Sequence, residues 1–216
     1  MSSRTGRTSD APRRATYRHG DLRNSLVGAG LELAAAGGPD AVVLREVTRQ
    51  VGVVPNAAYR HFADRRALLS AVSQAALARL AAAMEAGLAA AEPAGDPAAS
   101  ARTRLRALTT GYLSFAKAQP GLFRTAFVTT DMDDTGGEAA AGPGGRTAFQ
   151  LLSDQLDDLV ESGAVPAERR PGAEYFVWSA VHGLAVLLND GPLRGLRPAE
   201  AQDASDRLLD AIERGI

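Results

Sequence analysis

Between residues 44 and 62 the chain carries two backbone punctuation marks, a glycine at 52 and a proline at 55, inside helix-forming sequence. Leu44, Val47 and Val51 present one apolar face over two turns, and Gly52 stops it. Pro55 then opens a second short helix carrying Asn56, Tyr59, Arg60, His61 and Phe62, predicted to run two turns, ~10–12 Å. Glycine suits the exit from the first helix because the chain must pass through a left-handed conformation there. Proline suits the entry to the second because its missing N–H would have no helical partner anyway. Two short helices separated by Gly52-Val53-Val54 predict a helix-turn-helix, whose second helix is sized to enter a major groove by its N-terminal half.

The side chains suit that use. Pro55, Asn56 and Arg60 can face outward while Ala58 and Phe62 face a core. Asparagine pairs bidentately with adenine and arginine with guanine. Tyr59 and His61 have the reach and polar tips for phosphate, and Arg65 and Arg66 begin the next helix beside the same surface. An ordinary αα-hairpin with a solvated polar face would share these features, so the residues alone leave both readings open.

Composition and charge narrow the choice. Hydrophobic residues make up 45% of the 216, much of it alanine, while aromatics are 5%. Helix formers therefore dominate and strand formers are thin, which predicts an all-α protein. The absence of cysteine excludes disulfides, thiolate metal sites and cysteine nucleophiles, and three histidines leave little for a metal centre. No metal or cofactor is expected. Net charge is −1, but residues 1–70 hold 11 arginines against six carboxylates, and the remainder 13 cations against 19 carboxylates. A basic head on an acidic body is the split expected where one end meets a polyanion. Residues 1–17 lack the apolar core of a secretory signal. The apolar run 173–188 is interrupted by Glu174, Ser179 and His182 and is too short for a bilayer. A soluble, cytoplasmic protein with no membrane partner is expected.

Residues 44–62, followed by Ala-Asp-Arg-Arg-Ala-Leu-Leu69, resemble the DNA-binding domain of the tetracycline-repressor (TetR) family. The pattern lies in Gly52-Val53, in Tyr59-x-His61-Phe62 and in a basic residue at 65 before Leu68-Leu69; the preceding helix, Arg18 to Ala36, matches in length and spacing. The resemblance implies a reading helix from Pro55, with Tyr59 and His61 gripping phosphate and Arg65 standing where the family usually has a phosphate-contacting lysine. The DNA-binding set is thus expected at Arg18, Arg45, Pro55, Asn56, Ala57, Tyr59, Arg60, His61 and Arg65. Four positions depart from the family. Val43 and Val54 stand where Ser or Thr usually caps the second and third helices, Thr48 replaces an alanine, and Ala58 replaces a larger aliphatic. They point to a divergent branch with an unusual operator.

The expected organisation is a basic arm over 1–16, a three-helix DNA-binding domain over 17–65 and a six-helix effector-binding and dimerisation domain over 66–216. A long helix follows Arg65 to Ala91, with Leu69, Val72, Ala76, Leu80, Met84 and Leu88 on one face. Asp96-Pro97 starts another, stopped by Gln119-Pro120-Gly121; a short helix or turn spans Leu122 to Phe127. The Gly- and Pro-rich stretch 129–146 reads as a flexible loop. Asp131, Asp133 and Asp134 begin like a calcium loop, but Gly142 stands at the twelfth position, and Gly142-Pro-Gly-Gly145 lacks the strand and lysine of a phosphate cradle. Phe149, Leu152, Leu156 and Leu159 mark an amphipathic helix ending at Gly163. The segment 173–188, apolar nearly all round, needs burial on more than one side, and a last helix carries Ala204, Leu208 and Ile212.

By the resemblance, helices at about 172–189 and 198–214 pair with a second copy into a homodimer whose two reading helices address a palindromic operator. Trp178-Ser-Ala-Val-His182-Gly183 resembles a Trp…His-Gly subtype of the family's C-terminal domain. A hydrophobic or aromatic effector is expected against Tyr112, Phe115, Phe123, Phe127, Phe149, Leu152, Trp178 and His182. With no catalytic constellation in sight, the expected function is a DNA-binding regulator, a repressor released by a small molecule, and not an enzyme. The alternatives are a DNA-binding protein without an effector, which an empty or collapsed C-terminal cavity would favour, and, more remotely, an all-α carrier.

Overall fold

Alanine-rich sequence with Pro, Gly and capping residues at its breaks folds here into helices joined by short connections. The computed structural model describes residues 19–128 and 137–216, and within them every α or 3₁₀ element is helical, with no strand. In chain order the helices are α1 (His19–Gly37), α2 (Leu44–Val51), α3 (Pro55–Tyr59), α4 (Arg65–Ala89), α5 (Pro97–Ala118), α6 (Pro120–Ala126), α7 (Ala148–Glu161), α8 (Ala173–Asn189) and α9 (Pro198–Gly215). The all-α, three-plus-six plan follows the expectation. The arm 1–16 and Arg18 lie outside the described residues, as do Asp131, Asp133 and Asp134.

α4 is the spine. Leu68, Leu69, Val72, Ala76, Leu77, Leu80 and Met84 are buried along it, and α4 packs on α1 at one end and on α5, α6 and α7 along its length. The helix is long and apolar enough to cross a membrane by those criteria alone, with a mean hydropathy of 1.5 over its best window. More than half of that window is instead buried inside the fold, which is where its apolar residues are used. Its start is fixed by Asp64, whose carboxylate accepts from the Ala67 N–H at 2.8 Å. Asp96 does the same for α5 through the Ala99 N–H, and Thr147 and Gln150 form a reciprocal capping box on α7.

Two boundaries differ from the sequence reading. The helix from Pro55 ends at Tyr59, a little over one turn, because Arg60 to Phe62 form a tighter turn in which the His61 and Phe62 amides both donate to the Ala58 carbonyl. The predicted flexible loop is held over its described half. Residues 138–140 form a 3₁₀ turn packed on α4 with Ala140 buried, and the Gly144 N–H donates to the Glu85 carboxylate of α4 at 3.1 Å.

Candidate nucleic-acid interface and effector chamber

The reading head rests on α1. Gly52 adopts φ 76° and ψ 29°, the left-handed conformation its place in the turn requires, and its N–H closes back on Arg49 and Thr48 carbonyls. Val47 and Ala58 are fully buried and Phe62 nearly so; they form the seam between α2, α3 and α1. The Arg23 guanidinium lies over the Phe62 ring, 5.3 Å from its centroid. Thr48, a departure from the family pattern, is buried with its hydroxyl donating to the Arg45 carbonyl at 2.9 Å, so the extra polar atom is satisfied within its own helix. Val43 and Val54 stand at the N-cap positions of α2 and α3 with no side-chain cap, as valine dictates.

Of the residues expected at DNA, Arg45, Pro55, Asn56, Tyr59 and Arg60 are exposed, and Ala57 and His61 are half-buried beside them. Tyr59 is 54% exposed although aromatic. Arg65 has other engagements. Its Nε donates to the Val42 carbonyl and its Nη2 to the Pro39 carbonyl, both at 2.8 Å, with the Asp40 carboxylate 3.8 Å away. It brackets the α1–α2 connection to the start of α4, a task open to arginine's fork of donors and not to a lysine's single ammonium. Sequence reasoning missed this bracket because the carbonyls lie 23 and 26 residues upstream.

In the body, Tyr112 from α5, Phe123 from α6, Phe127 just after it, Phe149 and Leu152 from α7, and Trp178 and His182 from α8 converge. Phe127 stands edge-on to His182 with centroids 4.7 Å apart, and Tyr112 meets Phe123 at 5.8 Å and Trp178 at 5.6 Å. Phe149 closes the other side of Trp178 at 5.8 Å. Tyr112 Oη and His182 Nδ1 share a hydrogen bond of 2.8 Å. Burial pushes the Tyr112 phenol well above its ordinary value and pulls the His182 imidazole below its own, so the pair is neutral at neutral pH. A cavity of only about 10 Å³ lies on one side of the cluster, lined by Tyr112, Leu152 and Trp178 with Met84, Leu108, Thr109, Val177 and Val181. Phe115 does not join them; it faces the α4–α5 groove with Ala86, Gly87 and Ala118. The three-residue step from Tyr112 carries it past the chamber.

The chamber touches the head through α6. A Cβ on Gly121 would lie 2.7 Å from the Ala35 carbonyl oxygen and closer still to that of Ala34, so α6 can sit on α1 only with glycine there. On α8, Val177, Val181 and Ala185 are buried, while Tyr175, Phe176, Val186 and Leu187 are exposed at 40% or more.

These features agree with what two family models match. One, described as bacterial regulatory proteins of the tetR family, covers residues 26–72; the other, a tetracyclin repressor-like C-terminal domain, covers 105–212, half of the chain. The chain belongs to the TetR family. It is accordingly a DNA-binding transcriptional regulator with a ligand-binding domain, and TetR members act as dimers. No curated protein sequence matches it. Among solved structures, a protein with unknown function from Rhodococcus sp. RHA1 is 26% identical over 94% of this chain and 99% of its own, with a TM-score of 0.70. A TetR variant from Acinetobacter baumannii AYE in complex with minocycline shares the fold at 18% identity and TM-score 0.61, covering 89% of this chain and 94% of its own. The regulator FadR from Bacillus subtilis in complex with stearoyl-CoA does so at 14% and 0.62, covering 89% and 98%. The TetR C-terminal match includes Trp178, His182 and Gly183.

Proposed function

We propose that this TetR-family regulator is a cytoplasmic repressor, released from a palindromic operator when a hydrophobic or aromatic effector enters the chamber around Trp178. The observation that carries the DNA half is the two arginines left without a carboxylate on the exposed face of the head. Arg104, Arg106, Arg124, Arg146 and Arg170 of the body, and Arg49 and Arg65 of the head, face carboxylates, whereas Arg45 and Arg60 on the exposed face of the head have no such partner among the described residues. Cations left unpaired beside Asn56 and Tyr59 suit a polyanion. The head over 17–65 reads; the body over 66–216 senses and dimerises.

The mutual packing of the chamber's rings, with centroids 4.7–6.4 Å apart, supports a specific mechanism. An effector of ordinary size needs roughly 300 Å³ or more, so it must displace the rings it binds. Phe123 belongs to α6 and Phe127 directly follows it, and α6 sits on α1 at Gly121; moving those rings moves the floor of the head. Effector binding then favours a head spacing that no longer fits the operator. The stripe on α8 formed by exposed Phe176, Ser179 and Leu187 with half-buried Gly183 supports dimerisation through α8 and α9, since a Cβ on Gly183 would meet nothing within 4 Å in its own chain and a partner helix could come close there. The Trp178…His182-Gly183 run supports placing the chain in the subtype it marks, with Trp178 and His182 as chamber walls and Gly183 on the dimer face.

The close packing of the rings also favours a second reading, a dimeric DNA-binding protein that takes no effector there. Trp178 is the chain's one tryptophan, so its fluorescence separates the two. Screening apolar and aromatic compounds, the repressor reading expects one that shifts Trp178 emission and frees bound operator at the same concentration. Emission shifts that never disturb operator binding would leave the second reading standing.

A further inference from the structure

Away from the aromatic chamber, a cavity of about 320 Å³ opens between the C-terminal ends of α5 and α8, the first turns of α9 and the connection 190–197. Its apolar wall is Leu113, Leu188, Leu196 and Leu209. Two cations line it, Lys117 in the last turn of α5 and Arg194 in the connection, and no carboxylate does. Both cations stand exposed at its mouth. In a body most of whose arginines are spent on Asp and Glu, neither the Lys117 ammonium nor the Arg194 guanidinium has an ion-pair or hydrogen-bond partner among the described residues. Lys117 is also the chain's single lysine against 23 arginines. A lysine ammonium is a compact charge on a flexible stem that can follow an anion of any shape. The end of α8 is fixed against α5 in advance, because the Asn189 amide donates to the Ala116 carbonyl at 2.9 Å. At ~30 Å³ for each water-sized heavy atom, the space holds about ten.

We propose that this cavity binds a small amphipathic anion, with its apolar body of about eight carbons against the leucines and its carboxylate or phosphate head between Lys117 and Arg194. The head remains at the wet mouth, so its desolvation costs little, while the tail removes leucine surface from water. The site is separate from the aromatic chamber, and it links α5 to the two helices proposed to form the dimer.

The single lysine makes the site chemically addressable. The full-length protein is acetylated with a limiting amine-reactive ester, and modification of Lys117 is followed by peptide mass spectrometry against the N-terminal amine as internal reference. Octanoate, octyl phosphate and octan-1-ol are the probes. Octanoate or octyl phosphate is expected to slow Lys117 acetylation severalfold while octan-1-ol does not, and whichever anion protects better names the head group. Arg194→Gln is expected to weaken that protection about tenfold without changing the fold, the side chain being exposed. Absence of protection by both anions at millimolar concentration, or equal protection by octan-1-ol, overturns the proposal. Trp178 emission, which reports the other chamber, is followed in parallel, so failure at one site is distinguishable from failure at the other.

Discussion

Tyr59 and Arg60 are adjacent, exposed and free of any role in the helical seam, while Ala58 and Phe62 on either side are buried. Replacing Tyr59 or Arg60 by alanine should therefore leave fold and dimer intact and weaken operator binding. A lost base or phosphate contact of about 1–3 kcal/mol corresponds to about five- to 150-fold. Titration of labelled operator with sedimentation of the same samples checks both halves, and dissociation of the dimer would show that these side chains are structural. His182 gives a different residue-scale prediction. Burial holds its folded pKa below the ordinary histidine value of about 6.5. As pH falls below that value the unfolded chain takes up a proton that native His182 refuses, so stability declines until the folded pKa is passed. Above about pH 7 the group contributes no slope. Denaturation midpoints from about pH 5 to pH 8 should fall on the acid side for the wild type and less steeply for His182→Gln; parallel profiles would mean that the acid loss comes from other groups.

At the scale of helices, the α1–α6 seam is the element most exposed to a small change. Gly121→Ala must push α6 off the Ala34 and Ala35 carbonyls, a cost of about 1–3 kcal/mol by analogy with other overpacked sites. The expected result is a lower melting temperature together with weakened communication between Trp178 and operator binding; unchanged values for both would remove α6 as the link. Element identities were readable because their signals are local. Gly52 and Pro55 punctuate α2 and α3, Asp96-Pro97 and Gln119-Pro120 bound α5, and the spacing of Leu69, Val72, Ala76, Leu80 and Met84 marks the buried face of α4. What escaped is non-local. Nothing near Arg65 in sequence shows that it ties down Pro39 and Val42, and nothing near Gly144 shows its hold on Glu85. The chamber was readable as a set of aromatics but not as rings packed against one another, because that packing depends on how four helices position them. Phe115 was misplaced for the same reason: side-chain direction on α5, not sequence proximity to Tyr112, decides which cavity it meets.

At the scale of the whole molecule, we propose a dimer that presents two basic heads to DNA and couples them to the body through α4 and α6. Phe176→Glu or Leu187→Glu would place a charge on the face proposed to be buried between copies, and should convert the dimer to monomer and abolish tight operator binding together. An unchanged sedimentation mass would move the interface elsewhere. Because exposed arginines are read as phosphate partners, affinity should also fall steeply with added salt, roughly in proportion to the number of phosphates neutralised. A flat salt response would argue against a phosphate-gripping surface. The central claim is that this surface reads sequence. The most direct test is to select fragments of the source genome with the purified protein, alongside Arg60→Ala. The account predicts that the wild type enriches one palindromic site and that the variant does not. Equal recovery of fragments by both proteins, with no common site, would contradict it.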